Sequence, residues 1–179
     1  GHCGPALKKV SLELGGKNAM VVLDDADLDR AVEGAVRACF SSSGQLCISI
    51  ERMYVAESIH DRFVEDFVAA IEAMRMGGSY DYSCQMGSLT SSEQLGAVQA
   101  HVDDAVAKGA RVLTGGSARP DLGPYFFEPT VLANVTTKML VTREETSGPL
   151  AAVYRYKAEA GLIAQANAVT LLSGIGMMG

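Results

Sequence analysis

One cysteine in this sequence, Cys47, lies in a setting that favours nucleophilic chemistry. It ends the run FSSSGQLC at residues 40–47, in which serines and a glycine precede it. Small residues leave the backbone open, so a substrate carbonyl can approach the thiol. A free cysteine has a pKa of about 8.5 and reaches useful thiolate levels at neutral pH only with help from backbone N–H groups or a base. We therefore predict that Cys47 is the nucleophile of a covalent mechanism.

An upstream carboxylate, Glu13, is the candidate partner of this thiol. It stands in LELGGK, residues 12–17, at the end of a segment that otherwise alternates like a buried strand. A carboxylate at such a position is rarely buried without a role, and the glycines after it allow the side chain to turn toward a site. Glu13 is therefore a candidate general base that takes a proton from water. The alternative is an ion pair with Lys17 or a solvated strand end.

The other cysteines carry less information. Cys39 falls on the apolar stripe of a predicted helix, so we expect a small buried hydrophobe there. Cys3 and Cys84 lie in loop-like surroundings and are assigned no role. The spacing of the four cysteines matches neither a zinc ribbon nor a compact disulfide framework, so we predict reduced thiols and no metal site.

The histidines leave a second kind of chemistry open. His60 follows the start of a predicted helix and His101 lies within another, and neither is near Cys47 in sequence. If either one met the thiol in space, the pair would form a Cys-His dyad. The protein would then be a cysteine hydrolase or an acyl-transfer enzyme.

The elements that must position these residues alternate between strands and helices. Strands are predicted at residues 8–14, 19–23, 52–55, 110–114, 126–132 and 150–156. Helices are predicted at residues 28–40, 58–77, 91–108 and 159–168, where apolar residues recur every three or four positions. The acidic run at residues 24–27 is expected to cap the first helix, and Cys47 then falls between that helix and the strand at 52–55. The alternation predicts an α/β fold with helices packed on an open sheet.

Length and composition limit the possible classes of protein. With 179 residues, 48% hydrophobic and 20% charged, the chain is predicted to form one domain over residues 1–179. Its net charge of −6, with scattered basic residues, argues against nucleic acid or an anionic membrane as a partner. No apolar run approaches the roughly 18 residues that span a bilayer, and the first residues lack an apolar signal core. We therefore predict a cytoplasmic protein.

Four segments, taken together and in order, resemble those of a known enzyme family. LELGGKN at residues 12–18 resembles the glutamate signature of NAD(P)-dependent aldehyde dehydrogenases, and FSSSGQLC with Arg52 and Val55 resembles their cysteine signature. GPYFFEPTV at 123–131 and EETSGPL at 144–150 are similar to two later blocks of that family. The resemblance extends from residue 10 to about residue 167. Within the family the sequence looks most similar to the succinate-semialdehyde dehydrogenase-like members.

The resemblance implies a fold and a mechanism. The fold is a three-layer open sheet with helices on both faces, the catalytic domain of that family. Cys47 would attack an aldehyde, with succinate semialdehyde as one candidate, hydride would pass to NAD or NADP, and Glu13 would activate water to hydrolyse the thioester. The backbone N–H of Cys47 would donate to the oxyanion. Glu145 matches the carboxylate that holds the nicotinamide ribose, and Leu14 and Gln94 are further candidates for cofactor contacts.

The sequence also departs from the family pattern. Ser42 stands where the family usually has asparagine, Ser147 stands where it usually has phenylalanine, and the match dissolves after Asn167. Only twelve residues precede Glu13, and no glycine fingerprint of a dinucleotide-binding domain is present. We therefore expect a catalytic-domain fragment whose NAD or NADP is bound mainly by a domain missing from this chain. The full-length protein is expected to be a dimer or tetramer of identical subunits, and a catalytically silent fragment that keeps only the subunit-contact surface is the alternative.

Overall fold

The structure is a computed structural model that describes residues 15–168 and 175–178. Six strands lie in these ranges: β1 (Asn18–Val22), β2 (Ile50–Ala56), β3 (Arg111–Thr114), β4 (Thr130–Ala133), β5 (Leu150–Tyr156) and β6 (Ile175–Met178). Four helices connect them: α1 (Leu28–Phe40), α2 (His60–Glu72), α3 (Ser92–Ala107) and α4 (Glu159–Asn167).

All six strands form one sheet in the order β3-β4-β5-β2-β1-β6. Every neighbouring pair is parallel except β3 and β4, which run antiparallel. The neighbouring strands β1 and β2 are buried at every position, as expected for parallel strands covered on both faces.

Helices cover both faces of this sheet, so the predicted three-layer α/β architecture is confirmed. On one face α1 and α2 pack against Met20, Val22, Met53 and Val55. On the other face α3 packs against β4 and β5, while α4 packs against Ala19, Val21 and Tyr54. Successive residues of β1 therefore point to opposite layers, which is the two-residue period of a strand.

Helix boundaries follow capping chemistry that the sequence carries. Asp27 accepts a hydrogen bond from the Arg30 backbone N–H at the start of α1, as the acidic run predicted. Ser91 caps α3 in the same way by accepting from the Gln94 N–H. These two caps fix the first turns of the helices that flank the candidate site.

Two boundaries were predicted wrongly and one strand was missed. The strand expected at 126–132 begins only at Thr130, because Pro129 cannot donate to a ladder and the residues before it form an isolated bridge to Ala118. The helix expected to reach residue 77 ends at Glu72. Strand β6 at Ile175–Met178 was not predicted at all, whereas the predicted strand at 8–14 lies outside the described residues.

No helix in the described part of the chain is long and apolar enough to cross a membrane.

Candidate active site

Three loops meet at one edge of the sheet. The residues before β1, the loop before β2 and the loop before β5 all enter the amino ends of parallel strands that lie side by side in the order β5-β2-β1. Parallel strands place their amino ends at the same edge. The fold therefore gathers, at this edge, the three signature segments that are far apart in the sequence.

The loop that carries Cys47 begins with an unusual backbone. Ser42, Ser43 and Gly44 have φ values of 51°, 57° and 69°, in the left-handed region that side chains adopt only at a cost. Ser43 is buried, and its hydroxyl donates to the Gly87 carbonyl at 3.0 Å. Gln45 donates to the Ser42 carbonyl at 3.2 Å and accepts from the Thr90 N–H at 3.0 Å. These contacts stabilise a turn that the backbone alone disfavours.

The Cys47 side chain is exposed at the end of this loop. Its backbone carbonyl accepts a hydrogen bond of 2.6 Å from the side-chain amide of Asn18, which also donates to the Ser49 carbonyl at 3.0 Å. Asn18 begins β1 and is buried, so the first residue of this strand anchors the backbone at the cysteine and two residues after it. Cys39, by contrast, is buried on α1, and burial raises the pKa of its thiol, as expected for a core residue.

A buried ion pair lies beneath the loops. Lys17 is fully buried and its ammonium contacts the Glu51 carboxylate on β2. Burial lowers the pKa of Lys17, whereas the Glu51 carboxylate opposes that shift. The Lys17 carbonyl accepts two hydrogen bonds from the Arg52 guanidinium, at 2.9 and 2.7 Å. Residues just before β1 and at the start of β2 are thus joined by charge-assisted hydrogen bonds.

Thr146 continues this network into the loop before β5. Its hydroxyl lies 3.2 Å from the Lys17 ammonium and 3.0 Å from His101 Nδ1, and its N–H donates to Glu51 at 3.0 Å. Because an ammonium can only donate, the hydroxyl accepts from Lys17 and its own proton is available to His101 Nδ1. Burial, followed by the charge of Lys17, lowers the pKa of His101. Burial and the Lys17 charge favour a neutral imidazole. A hydrogen bond accepted at Nδ1 then places the remaining proton on Nε2.

Glu145 and Gln94 both adjoin Thr146, Glu145 as the preceding residue and Gln94 through a hydrogen bond. A methyl group added to Gly15 would overlap the Glu145 carboxylate, so this half-buried side chain lies directly against the segment that follows Glu13 and Leu14. Gln94 donates through its amide nitrogen to the carbonyls of Thr146 at 2.7 Å and Ser147 at 2.9 Å. Its predicted contact with the cofactor stays a prediction.

Of the predicted site residues, the structure describes three. Cys47 and Glu145 lie in the loops before β2 and β5, and Gln94 lies in the first turn of α3, whereas Glu13 and Leu14 lie outside the described residues. Lys17, the possible partner of Glu13, bonds Glu51, and its pairing with Glu13 stays a prediction.

Sequence reasoning missed Asn18, Glu51 and Thr146. Glu51 alone gave a signal that could have been noticed, as a carboxylate next to Arg52 in the strand IERMYVA, whose remaining residues are apolar or aromatic.

The histidines contact groups other than the candidate nucleophile. His60 Nδ1 lies 3.0 Å from the Asp61 carboxylate at the start of α2. His101 directs Nδ1 to Thr146 and Nε2 toward Glu144, at 3.8 Å. In the described part of the chain, no group of three or more His, Cys, Asp or Glu side chains could hold a metal ion.

Known proteins resemble this chain in both sequence and structure. The succinate-semialdehyde dehydrogenase [NADP(+)] GabD of Escherichia coli K12 is 45% identical over 166 residues, which cover 93% of this chain and 34% of that protein. A Mycolicibacterium smegmatis protein with the provisional name succinate-semialdehyde dehydrogenase [NADP(+)] is 50% identical over 166 residues, which cover 93% of this chain and 32% of that protein. The chain thus spans about a third of the length of these curated relatives.

A crystal structure of a succinate-semialdehyde dehydrogenase from Burkholderia pseudomallei superposes with a TM-score of 0.89 at 36% identity. The superposition covers 97% of this chain and 40% of that one. The sequence model of the aldehyde dehydrogenase family matches residues 2–174. The model thus matches nearly every residue, and the cysteine loop, the Glu145 loop and the start of β1 meet at one edge of the sheet. This chain therefore belongs to the aldehyde dehydrogenase family.

Proposed function

We propose that this chain supplies the reacting residues of an enzyme that oxidises an aldehyde to a carboxylic acid with NADP+. The observation that carries the proposal is the setting of Cys47. Its thiol is exposed, and Asn18 holds the backbone at Cys47 and at Ser49. An exposed nucleophile on a fixed backbone is what attack on a bound carbonyl requires.

The proposed reaction begins when the Cys47 thiolate forms a bond to the aldehyde carbon. The carbonyl π electrons move to oxygen, and the resulting oxyanion is stabilised by the Cys47 N–H. Loss of hydride from the carbon converts the thiohemiacetal to a thioester. Glu13 then takes a proton from water, the hydroxide adds to the thioester carbon, and the acid leaves as the thiol is restored. The aldehyde carbon is oxidised by two electrons.

The nicotinamide cofactor accepts that hydride when it is bound. The residues near Glu145 fit such a group, because a glycine at position 15 leaves the carboxylate room that any side chain would fill. A half-buried carboxylate can accept hydrogen bonds from ribose hydroxyls, and Glu145 is the residue that would do so. The names of the GabD and M. smegmatis relatives specify NADP(+), which favours NADP over NAD. Leu14 and Gln94 stay predicted contacts of the same cofactor.

The proposed substrate class is a small aldehyde with a carboxylate at its far end. This rests on relatives named succinate-semialdehyde dehydrogenase at 45% and 50% identity. A homodimer or homotetramer is proposed for the full-length protein and can be measured by light scattering. The alternative of a cysteine hydrolase that uses His60 or His101 gains no support, because His60 contacts Asp61 and His101 contacts Thr146 and Glu144.

The test is aldehyde-dependent reduction of NADP+, followed by absorbance of the reduced nicotinamide. It is run on the protein and on a hybrid in which this chain replaces the matching third of E. coli GabD. We expect turnover of succinate semialdehyde that disappears in Cys47→Ala and persists in Cys84→Ala, a matched change at a half-buried thiol. Turnover that survives Cys47→Ala would overturn the proposal.

Silence of a folded hybrid that still binds NADP+ would also overturn it and would favour the non-catalytic alternative. Ester hydrolysis that requires His60 or His101 but not Glu13 would instead point to a hydrolase.

A further inference from the structure

Thr146 has every polar atom engaged by a side chain from another part of the molecule. Its N–H donates to Glu51, its carbonyl accepts from Gln94, and its hydroxyl contacts Lys17 and His101. The residue is 2% exposed and lies in a loop outside regular secondary structure. A buried backbone group without a hydrogen-bond partner is costly. These side chains therefore supply the hydrogen bonds that neighbouring backbone would supply in a strand or helix.

The partners of Thr146 come from the segments that carry the proposed chemistry. Lys17 closes the LELGGK run that contains Glu13, and Glu51 lies on β2, the strand that the Cys47 loop enters. Gln94 and His101 lie on α3. Thr146 itself is the neighbour of Glu145, which lies against Gly15. A single residue, through its hydroxyl and its backbone N–H, therefore connects the loop of the cofactor-side carboxylate to the segments of both proposed catalytic residues.

We infer that Thr146 is a positioning residue that holds Glu145 in the place where it can bind the cofactor. Its hydroxyl acts through Lys17, which it fixes against Glu51, and through His101, to which it presents its proton. The role does not involve contact with substrate. The inference rests on the proposed function for its effect on cofactor binding, but the ordering of the loop does not depend on that function.

The hydroxyl can be removed with little change of shape in Thr146→Val. Thr142→Val is the matched control, because Thr142 is also buried and loses a hydroxyl that donates to the Met139 carbonyl at 2.8 Å. Thr146→Ser keeps the hydroxyl and is the conservative rescue. If the valine variant does not fold, the Thr146→Ser and Thr146→Ala pair makes the same comparison.

The first measurement is backbone hydrogen exchange of residues 143–148 in the protein without ligands. We expect exchange to be about fivefold faster or more in Thr146→Val and near the wild-type rate in Thr146→Ser, since one lost hydrogen bond alters an opening equilibrium by roughly this factor. No such change is expected at residues 145–148 in Thr142→Val. Equal exchange in the wild type and Thr146→Val would overturn the inference. This result does not require an active enzyme.

The second measurement is the split between KM and kcat in the hybrid with GabD. We expect KM for NADP+ to rise about fivefold or more in Thr146→Val, with kcat changed less than about twofold and Cys47 alkylation without cofactor unchanged. An unchanged KM would overturn the inference even if the enzyme is active. A hybrid that is inactive with wild-type Thr146 tells against the proposed function, and the exchange measurement then decides the inference alone.

Discussion

The backbones of Gly44 and Gly148 lie in direct contact, so the two loops that carry these glycines cannot separate without losing that contact. A methyl group added to Gly44 would overlap the carbonyl of Gly148. Gly44 is in the loop that leads to Cys47, and Gly148 is in the loop that carries Glu145. The two signature loops therefore touch through their backbones, and the glycine at position 44 is required both for space and for its φ of +69°.

The first prediction concerns this contact. Gly44→Ala should destabilise the protein by about 2 kcal/mol or more, because it adds left-handed strain to a clash with immobile backbone. Gly96→Ala is the matched control, since Gly96 lies inside α3 and an added methyl would meet nothing within 4 Å. That change should stabilise the protein by about 0.5–1 kcal/mol. Urea unfolding of the two variants measures both effects, and equal stabilities would contradict the assignment.

Much of this arrangement could be predicted from the sequence. The recurrence of apolar residues predicted all four helices, and the cap at Asp27 is where the acidic run indicated. The burial of Cys39 was also predicted, because its position on the stripe of α1 follows from the helical period alone. These features depend on residues that are near one another in the chain.

The features that escaped prediction depend on pairing between distant residues. The contact of Lys17 with Glu51 and the convergence on Thr146 arise only once β1, β2 and β5 lie side by side. Strand β6 escaped prediction because the glycine and two methionines of its sequence, IGMM, give little β signal, and pairing with β1 decides its structure. Periodicity reports which face is buried, but it does not report which buried polar groups meet.

The second prediction concerns the buried ion pair. Glu51→Gln should lower the free energy of unfolding by about 3–5 kcal/mol, because it leaves the buried ammonium of Lys17 without its paired carboxylate. The amide oxygen of glutamine can still accept from the Thr146 N–H. Glu57→Gln is the control, as Glu57 lies 3.3 Å from Lys157 in a pair that is largely exposed. It should change stability by less than about 1 kcal/mol. A double variant that also replaces Lys17 with Met should be more stable than Glu51→Gln alone, and thermal unfolding tests the order.

The third prediction concerns thiol reactivity. Iodoacetamide should modify Cys47 rapidly in the native protein, whereas Cys39 should react only after unfolding, because it is 2% exposed and burial raises the pKa of its thiol. Peptide mass spectrometry after timed quenching assigns each site, and Cys47→Ala identifies the fast phase. Rapid native modification of Cys39 would mean that α1 is not packed on the sheet as described.

The fourth prediction concerns pH. The pKa of His101 is lowered in the folded protein, chiefly by burial and then by the charge of Lys17, while Glu144, Glu51 and Asp104 oppose the shift. The unfolded chain, with a histidine pKa of 6.5, therefore binds this proton more readily than the folded one. The contribution of the neutral imidazole is complete above that pH and is lost as the pH falls below it.

His101→Asn tests this dependence, because the amide oxygen can still accept from the Thr146 hydroxyl but the side chain does not titrate. We expect the free energy of unfolding to fall more steeply for the wild type than for the variant between about pH 7 and pH 5, with parallel curves above about pH 7.5. Urea titrations at fixed ionic strength give the difference between the two proteins at each pH, and carboxylates common to both cancel in it. A constant difference across the range would mean that His101 takes up its proton equally well in the folded and unfolded states. Nδ1 would then carry a proton in the folded protein and donate to the Thr146 hydroxyl rather than accept from it.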